Sequence, residues 1–429
     1  LFCNIILISV LTLTPELSLD LQGNVFFSTQ YLIGKKTTVR DQTEIENLIS
    51  AILDKYNNAG FPFCRISPQL IYVEENPSVI VLTIHEGNRI IIEELLLGTE
   101  GKTDVRAAKR LAHFPKGEYF SLRNITQAKR RLNRTKAFTD ISENVLQRSG
   151  KYYVMFSLEE KESDYLTLSG SLSDAGFEFG ASYSTYSLLG TLRQFGFNYE
   201  YQRLFALNFR EPVLIAPAAF EADFTILTYD STRQIEGSVR FRAPLGAYFN
   251  ASVVSGIALV THYGTDTIQY QTSDNMLGTG LEFDYETSIF RNAQSIDLDY
   301  LFRDADRLRV RYDSETDVWQ FNIGIHYHHV RTDSFEFFDY LRVGGADDLR
   351  GYLEDEFLAA RALWFNLEYH RLFLYPIFDI GLIQDEIVYS YGFGVEAKSR
   401  FADASMVLAW PKGGTWDDGK FHLLLSRGF

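Results

Sequence analysis

Residues 317–330 read DVWQFNIGIHYHHV, and their alternation decides the fold. Successive side chains of a β-strand point to opposite faces. Period two therefore places Trp319, Phe321, Ile323, Ile325 and Tyr327 on one face and Gln320, Asn322, Gly324, His326 and His328 on the other. A soluble strand usually spans about five or six residues, whereas a tilted strand crossing a bilayer needs about nine to eleven. A run of this length fits the second kind, with its aromatic face toward lipid.

Working outward, the alternation recurs with Leu281, Phe283 and Tyr285 against Glu282, Asp284 and Glu286, and with Ile235, Val239 and Phe241 against Glu236, Ser238, Arg240 and Arg242. It returns with Phe195, Phe197, Tyr199 and Tyr201 against Gln194, Asn198, Glu200 and Gln202. Strands are predicted near 165–173, 175–185, 191–203, 205–212, 217–229, 233–243, 248–260, 275–287, 293–302, 307–313, 317–330, 360–370, 373–383, 386–398, 401–411 and 420–429. Alternation alone does not separate a soluble sandwich from a barrel, but an even number of long strands with short connections favours closure, which leaves no unpaired edge. The expectation is a transmembrane antiparallel β-barrel of sixteen strands over 162–429, its acidic residues hydrated in the lumen because hydrocarbon would cost several kcal/mol for each.

Composition agrees. The chain of 429 residues holds 34 Phe and 25 Tyr, yet its mean hydropathy is only −0.11, as interleaving of apolar and polar residues requires. A net charge of −15 provides no phosphate-neutralising field, so no nucleic-acid partner is expected. Two cysteines, Cys3 and Cys64, make neither a disulfide framework nor a four-ligand zinc site. The apolar run Leu1–Leu13 is too short to span a bilayer as a helix and resembles the core of a secretory signal without its basic start, so 1–16 is read as a truncated signal-like segment.

Residues 17–161 mix periods. Asp41 and Glu44 form a capping-box pair ahead of the stripe Ile45, Leu48, Ile49, Ile52, Leu53 and Tyr56, and this helix ends at Gly60. Strands at about 63–74 and 78–85 follow, and Glu86-Gly87 closes the unit. A comparable order returns with strand 89–98, helices near 104–113 and 122–134, the latter carrying Leu122, Ile125, Ala128 and Leu132, and strands 137–146 and 151–160. Two small α+β modules, 17–87 and 88–161, therefore precede the barrel.

Three segments invite a chemical reading. GTEGKT at 98–103 is two residues short of a phosphate-cradling G-x-x-x-x-G-K-[ST] loop and is better read as a turn. His326 and His328 share a face but His329 does not, so no metal site is expected. Asp297 and Asp299 follow the strand period and are read as lumen wall rather than as an acid and base pair. No nucleophile, base and orienting acid converge, so neither catalysis nor a cofactor is expected.

The segment 331–359, RTDSFEFFDYLRVGGADDLRGYLEDEFLA, is the longest connection and shows no strand of its own. Such loops are usually functional. Folded inward, it would bring Arg350 to the charged wall, where a guanidinium pairs with a carboxylate in a two-pronged manner.

LRGY at 349–352 after Gly344-Gly345 resembles the [VI]-R-G-[YF] motif in the sixth extracellular loop of the Omp85 (bacterial surface antigen D15) superfamily. FDIG at 378–381 resembles that family's F-x-D-x-G pattern on strand thirteen, with the spacing shifted. The resemblance assigns the loop arginine to Arg350, its glycine to Gly351 and its aromatic to Tyr352. It makes Asp379 the wall partner, with Glu368 a weaker second. Phe429, with Phe421, Leu423 and Leu425 on the same strand, is similar to the terminal β-signal of outer-membrane barrels. Upstream, GNVFFS at 23–28, HEG at 85–87 and EYFSLRNI at 118–125 resemble two POTRA modules.

The resemblance implies an outer-membrane factor, with its POTRA modules in the periplasm, that assists polypeptide insertion or passage. Its partners would be unfolded outer-membrane or secreted polypeptides, outer-membrane lipid, and periplasmic chaperones or accessory lipoproteins. Two POTRA modules are also typical of two-partner secretion transporters, which leaves that reading open, as it does a passive pore or receptor. In related barrels the first and last strands part to admit a client. Here these are 165–173 and 420–429, where Gly170 and Gly428 are expected to thin the seam.

Overall fold

The computed structural model describes residues 16–428 except 74–75, 174–175, 216–217, 230, 247, 264–267, 288–289, 303–305, 334, 372 and 399–402. Most of the signal-like segment and Phe429 therefore lie outside the described residues. The chain divides into two compact units: residues to 99 with 112–132 and 140–158, and residues 100–111, 133–139 and 159–429.

In the first unit, β1 (Leu17–Gln22), α1 (Thr29–Ile33), β2 (Thr38–Val39), α2 (Gln42–Asn58), β3 (Arg65–Val73) and β4 (Asn76–His85) build a sheet of order β2-β1-β4-β3. Ile45, Leu48, Ile52 and Tyr56 of α2 are buried against Leu17, Ile80, Leu82 and Ile84. Asp41 caps α2 by accepting from the Glu44 N–H at 2.7 Å, but the Glu44 carboxylate accepts from the Arg40 N–H, one residue before the position a reciprocal box would use. Glu86 holds the module closed, accepting from the Phe26 N–H at 2.7 Å and the Tyr56 hydroxyl at 2.8 Å.

The second sheet, of order β6-β5-β8-β7, comprises β5 (Ile91–Thr99), β6 (Glu118–Tyr119), β7 (Phe138–Arg148) and β8 (Lys151–Glu160), with α3 (Val105–Ala112) and α4 (Leu122–Asn133) in the same segment. The two modules join tightly. Arg89 donates to the Ala59 carbonyl at 2.8 Å and lies 3.5 Å from the Tyr119 ring, while Asn58 accepts from the Arg123 N–H at 2.8 Å. In the loop 98–103, the Lys102 and Thr103 amides donate to the Glu160 carboxylate at 2.8 and 2.9 Å, which takes the anion-binding groups a phosphate would need.

The second unit is a closed barrel of sixteen antiparallel strands. Its first eleven are β9 (Asp164–Ser173), β10 (Gly176–Thr185), β11 (Gln194–Glu200), β12 (Leu204–Ile215), β13 (Ala218–Tyr229), β14 (Thr232–Pro244), β15 (Phe249–Tyr263), β16 (Ile268–Glu286), β17 (Phe290–Phe302), β18 (Arg307–Val318) and β19 (Phe321–Thr332). Next come β20 (Leu341–Val343) and β21 (Phe357–Ala359), outside the barrel sheet, and then β22 (Arg361–Tyr369), β23 (Leu374–Ile383), β24 (Glu386–Lys398), β25 (Asp403–Pro411) and β26 (Lys420–Gly428). The segments 100–111 and 133–139 are tied to the barrel by the Asp104 N–H to the Gly190 carbonyl at 2.9 Å, by Arg110 to Glu211 at 2.9 Å, and by Gln194 to the Thr135 carbonyl at 3.2 Å.

Three expectations need correction. The stretch 317–330 is not one strand: Trp319 and Gln320 are the turn between β18 and β19. Trp319 sits at φ +57 and is 76% exposed, off the face that begins at Phe321. Two-residue hairpins require positive φ, and without Gly or Asn the sequence hid this one. The long connection does carry strands, since β20 and β21 pair antiparallel, although three residues each are too few to show a period.

The lumen acids are paired rather than merely hydrated. Asp297 accepts from Arg240 at 2.5 Å, Asp299 is 2% exposed beside Arg311 at 2.8 Å, and Glu221 serves Arg210 at 3.1 Å and Arg242 at 2.9 Å. At the seam, pairing among the described residues runs from Phe421↔Leu172 through Leu423↔Gly170 to Gly428↔Tyr165.

Candidate functional site

The connection between β19 and β22 is docked on the inner wall formed by β22–β26. Gly344 and Gly345, at φ +123 and +103, turn the chain so that the Gly345 N–H donates to the Leu349 carbonyl at 3.3 Å. That turn presents Arg350 to Asp379 of β23, which is 0% exposed. Arg350 donates to it from Nη2 at 2.5 Å, from Nε at 3.0 Å and from its own backbone N–H at 3.1 Å. A further guanidinium nitrogen bonds Glu368 of β22, whose other oxygen meets His370 at 2.6 Å.

Asp379 also accepts from Asn366 at 2.9 Å and Ser390 at 3.1 Å. Those two residues stand directly beside it in register on β22 and β24, so the three side chains form one row across the wall. Burial opposes the charge of Arg350, but the Asp379 and Glu368 carboxylates outweigh it and raise its pKa above the ordinary arginine value.

Gly351 must be glycine. A Cβ there would lie 2.5 Å from the Ser390 Cβ and 2.7 Å from the Trp410 backbone. Tyr352 follows with its hydroxyl donating to the Tyr389 carbonyl at 3.1 Å and accepting from the Lys412 N–H at 3.3 Å. Val343, Leu349, Tyr352, Ala359, Ala362, Trp364, Ile383 and Val388 close into a buried apolar cluster around the motif.

No protein-family model and no curated protein matches the chain. Among solved structures, CdiB from Escherichia coli superposes with a TM-score of 0.63 at 11% identity, covering 98% of this chain and 92% of that one. CdiB from Acinetobacter baumannii gives 0.59 at 12%, covering 98% and 91%. BamA from Haemophilus ducreyi lacking POTRA domains 1–3 gives 0.55 at 13%, covering 96% and 100%. These are Omp85-superfamily proteins. The chain has the Omp85 fold.

The connection follows the eleventh of the sixteen barrel strands, the position expected of loop six. The structure brings together Gly344, Gly345, Arg350, Gly351, Tyr352, Asp379 and Glu368. Phe421, Leu423 and Leu425 lie on the strand face opposite His422, and His422 points inward to donate from Nε2 to the Arg350 carbonyl at 2.9 Å. Loop six is thereby bonded to the strand that pairs with β9 at the seam.

Sequence reasoning missed Asn366, Ser390 and His422, whose signal emerges only when strand register is known. His326 and His328 share one Asp313 oxygen at 2.8 and 2.9 Å and flank Trp364. Among the described residues no group of three or more such side chains is arranged to hold a metal ion. Cys64 is half-buried, and burial, with Glu86 nearby, pushes its thiol up to about 11.

Proposed function

We propose that the chain is an outer-membrane factor that assists polypeptides in inserting into or crossing that membrane, with its two sheet modules in the periplasm. The observation that carries this reading is the Arg350–Asp379 pair, which fixes a long loop inside a closed barrel of Omp85 fold. BamA is an outer-membrane protein assembly factor and CdiB a two-partner secretion transporter.

The tandem sheets support a client role. Each leaves a long strand, β3 or β7, at its edge, and an edge strand offers unpaired N–H and C=O groups to an extended peptide of almost any sequence. The clients would be unfolded outer-membrane or secreted polypeptides, with periplasmic chaperones or accessory lipoproteins as further partners. In this reading the chain works by binding and rearrangement, without catalysis or a cofactor.

The superposition on CdiB also favours a second reading, a two-partner-secretion-like transporter. Conditional depletion followed by comparison of the outer-membrane and secreted proteomes separates the two. Insertion predicts broad loss of barrel proteins, and a dedicated transporter predicts loss of one secreted product. An unchanged envelope together with steady conductance from the purified protein would instead indicate a passive pore or receptor and sink the proposal.

A further inference from the structure

Loop six meets the barrel at two places that its Arg350 motif does not explain. At its tip, Arg203, in the turn between β11 and β12, donates to Asp355 at 2.6 Å and to Glu354 at 3.0 Å while pairing with Glu200 at 2.5 Å. The Tyr229 hydroxyl at the end of β13 donates to the same Asp355 at 2.6 Å. Arg342 of β20 lies 3.6 Å from the Tyr229 ring. Attraction from Glu354, Asp355 and Glu200 outweighs the burial of Arg203 and raises its pKa, so this anchor keeps its charge.

On the loop's first limb, Arg307 at the start of β18 is 1% exposed and bridges Asp274 of β16 to Asp339 of the loop, each 2% exposed. The Phe338 ring covers its guanidinium at 4.9 Å. A buried arginine shared between a wall carboxylate and a loop carboxylate ties the loop to its docked position, because undocking leaves buried charges without a partner.

The anchors occupy separate sectors of the ring. Passing from β23 through β24, β25, β26, β9 and β10 to β11 is six steps around sixteen strands, so Arg203 and Asp379 stand on different sectors of the wall. The Arg307 anchor lies between them on the other side, at β16 and β18.

We propose that Arg203 and Arg307 are positioning residues that hold loop six as a strut across the lumen, independently of Arg350. The inference rests on the reading of the chain as an Omp85-type barrel of the outer membrane. Loss of the Arg350 anchor alone frees the motif but leaves tip and first limb tethered, whereas loss of Arg203 or Arg307 lets one limb swing out and open the lumen.

The test uses the full chain with Cys3→Ser, Cys64→Ser and Val343→Cys, reconstituted in lipid vesicles and planar bilayers. Val343 is 1% exposed on the loop, so a charged maleimide reports its departure. Arg203→Met and Arg307→Met should each raise the labelling rate about tenfold, the change produced by weakening docking by about 1.4 kcal/mol, and should raise conductance. Arg350→Met, which frees the motif that Val343 packs against, should raise labelling on its own, and adding Arg203→Met or Arg307→Met to it should raise labelling and conductance further; Arg203→Lys should fall between wild type and Arg203→Met. Where a wall variant gives no heat-modifiable barrel, the loop-side changes Asp355→Asn and Asp339→Asn decide, since they leave the arginines in place.

Folded variants that label and conduct like wild type would overturn the proposal alone. A wild-type chain that neither shifts on heating nor inserts into bilayers would overturn the membrane reading and this inference with it.

Discussion

Across β12–β18 the inner face of the barrel is a lattice of long charged side chains, whereas across β22–β26 it is mostly small or apolar around one aspartate. In the first region Arg242 bridges Glu221 at 2.9 Å and Glu282 at 2.6 Å, Arg240 reaches Asp297, and Arg309 reaches Glu236 at 3.3 Å. In the second, Ala362, Gly381, Ser390, Gly392 and Ala409 leave room for a backbone, and the Leu349–Gly351 turn occupies it. Long side chains fill a lumen from the wall inward. Small ones admit a loop, and a single buried carboxylate then fixes where it sits.

The difference predicts unequal tolerance to substitution. Arg350→Met leaves Asp379 buried and uncompensated and should cost about 3–5 kcal/mol, read as a lower urea midpoint of the folded barrel by tryptophan fluorescence. Arg240→Gln in the lattice should cost about 1 kcal/mol, because Glu221 keeps Arg210 and Arg242, and Asp297 stands closer to solvent than Asp379. Equal losses for the two variants would break the comparison.

Gly351→Ala sharpens it further. The new methyl meets the Ser390 side chain and the Trp410 backbone, so a loss of about 1–3 kcal/mol is expected, in the same urea experiment. Gly237→Ala, whose Cβ meets nothing within 4 Å, should change little beyond the strand's own preference. Similar losses at the two glycines would show that Gly351 is not held by the close approach.

The smallest effect concerns pH. Burial pushes Glu354 up to about 7 against an ordinary 4.5, with Arg203 opposing, and burial with Asp347 pushes Asp348 up to about 6 against 3.8. A docked loop therefore binds more protons than a released one. Their contribution to docking is fully present below about pH 4 and is lost as pH rises toward 7. Labelling of Val343→Cys, taken relative to an exposed cysteine so that the thiol's own ionisation cancels, should accelerate between pH 5 and about 8, by a modest factor because Arg203 retains Asp355. Slower labelling over that range would reject the assignment.

Strand positions were legible because lipid on one side and a filled lumen on the other impose period two over long runs. The motif around Arg350 was legible because a glycine pair, an arginine and an aromatic follow each other closely in the chain. The Trp319-Gln320 turn was not, since its positive φ is taken by a residue that carries no turn signature. The short hairpin of β20 and β21 escaped for want of length.

By itself the sequence determined that the chain forms long alternating strands behind two small α+β modules, and that one long loop carries an arginine able to seek a carboxylate. Local periodicity and local chain chemistry are enough for that. Only the tertiary structure decided which carboxylates Arg203, Arg307 and Arg350 meet, that Asn366 and Ser390 complete the Asp379 row, and that His422 bonds the loop to the closing strand. Those partners are distant in sequence, and strand register together with closure of the ring sets them side by side.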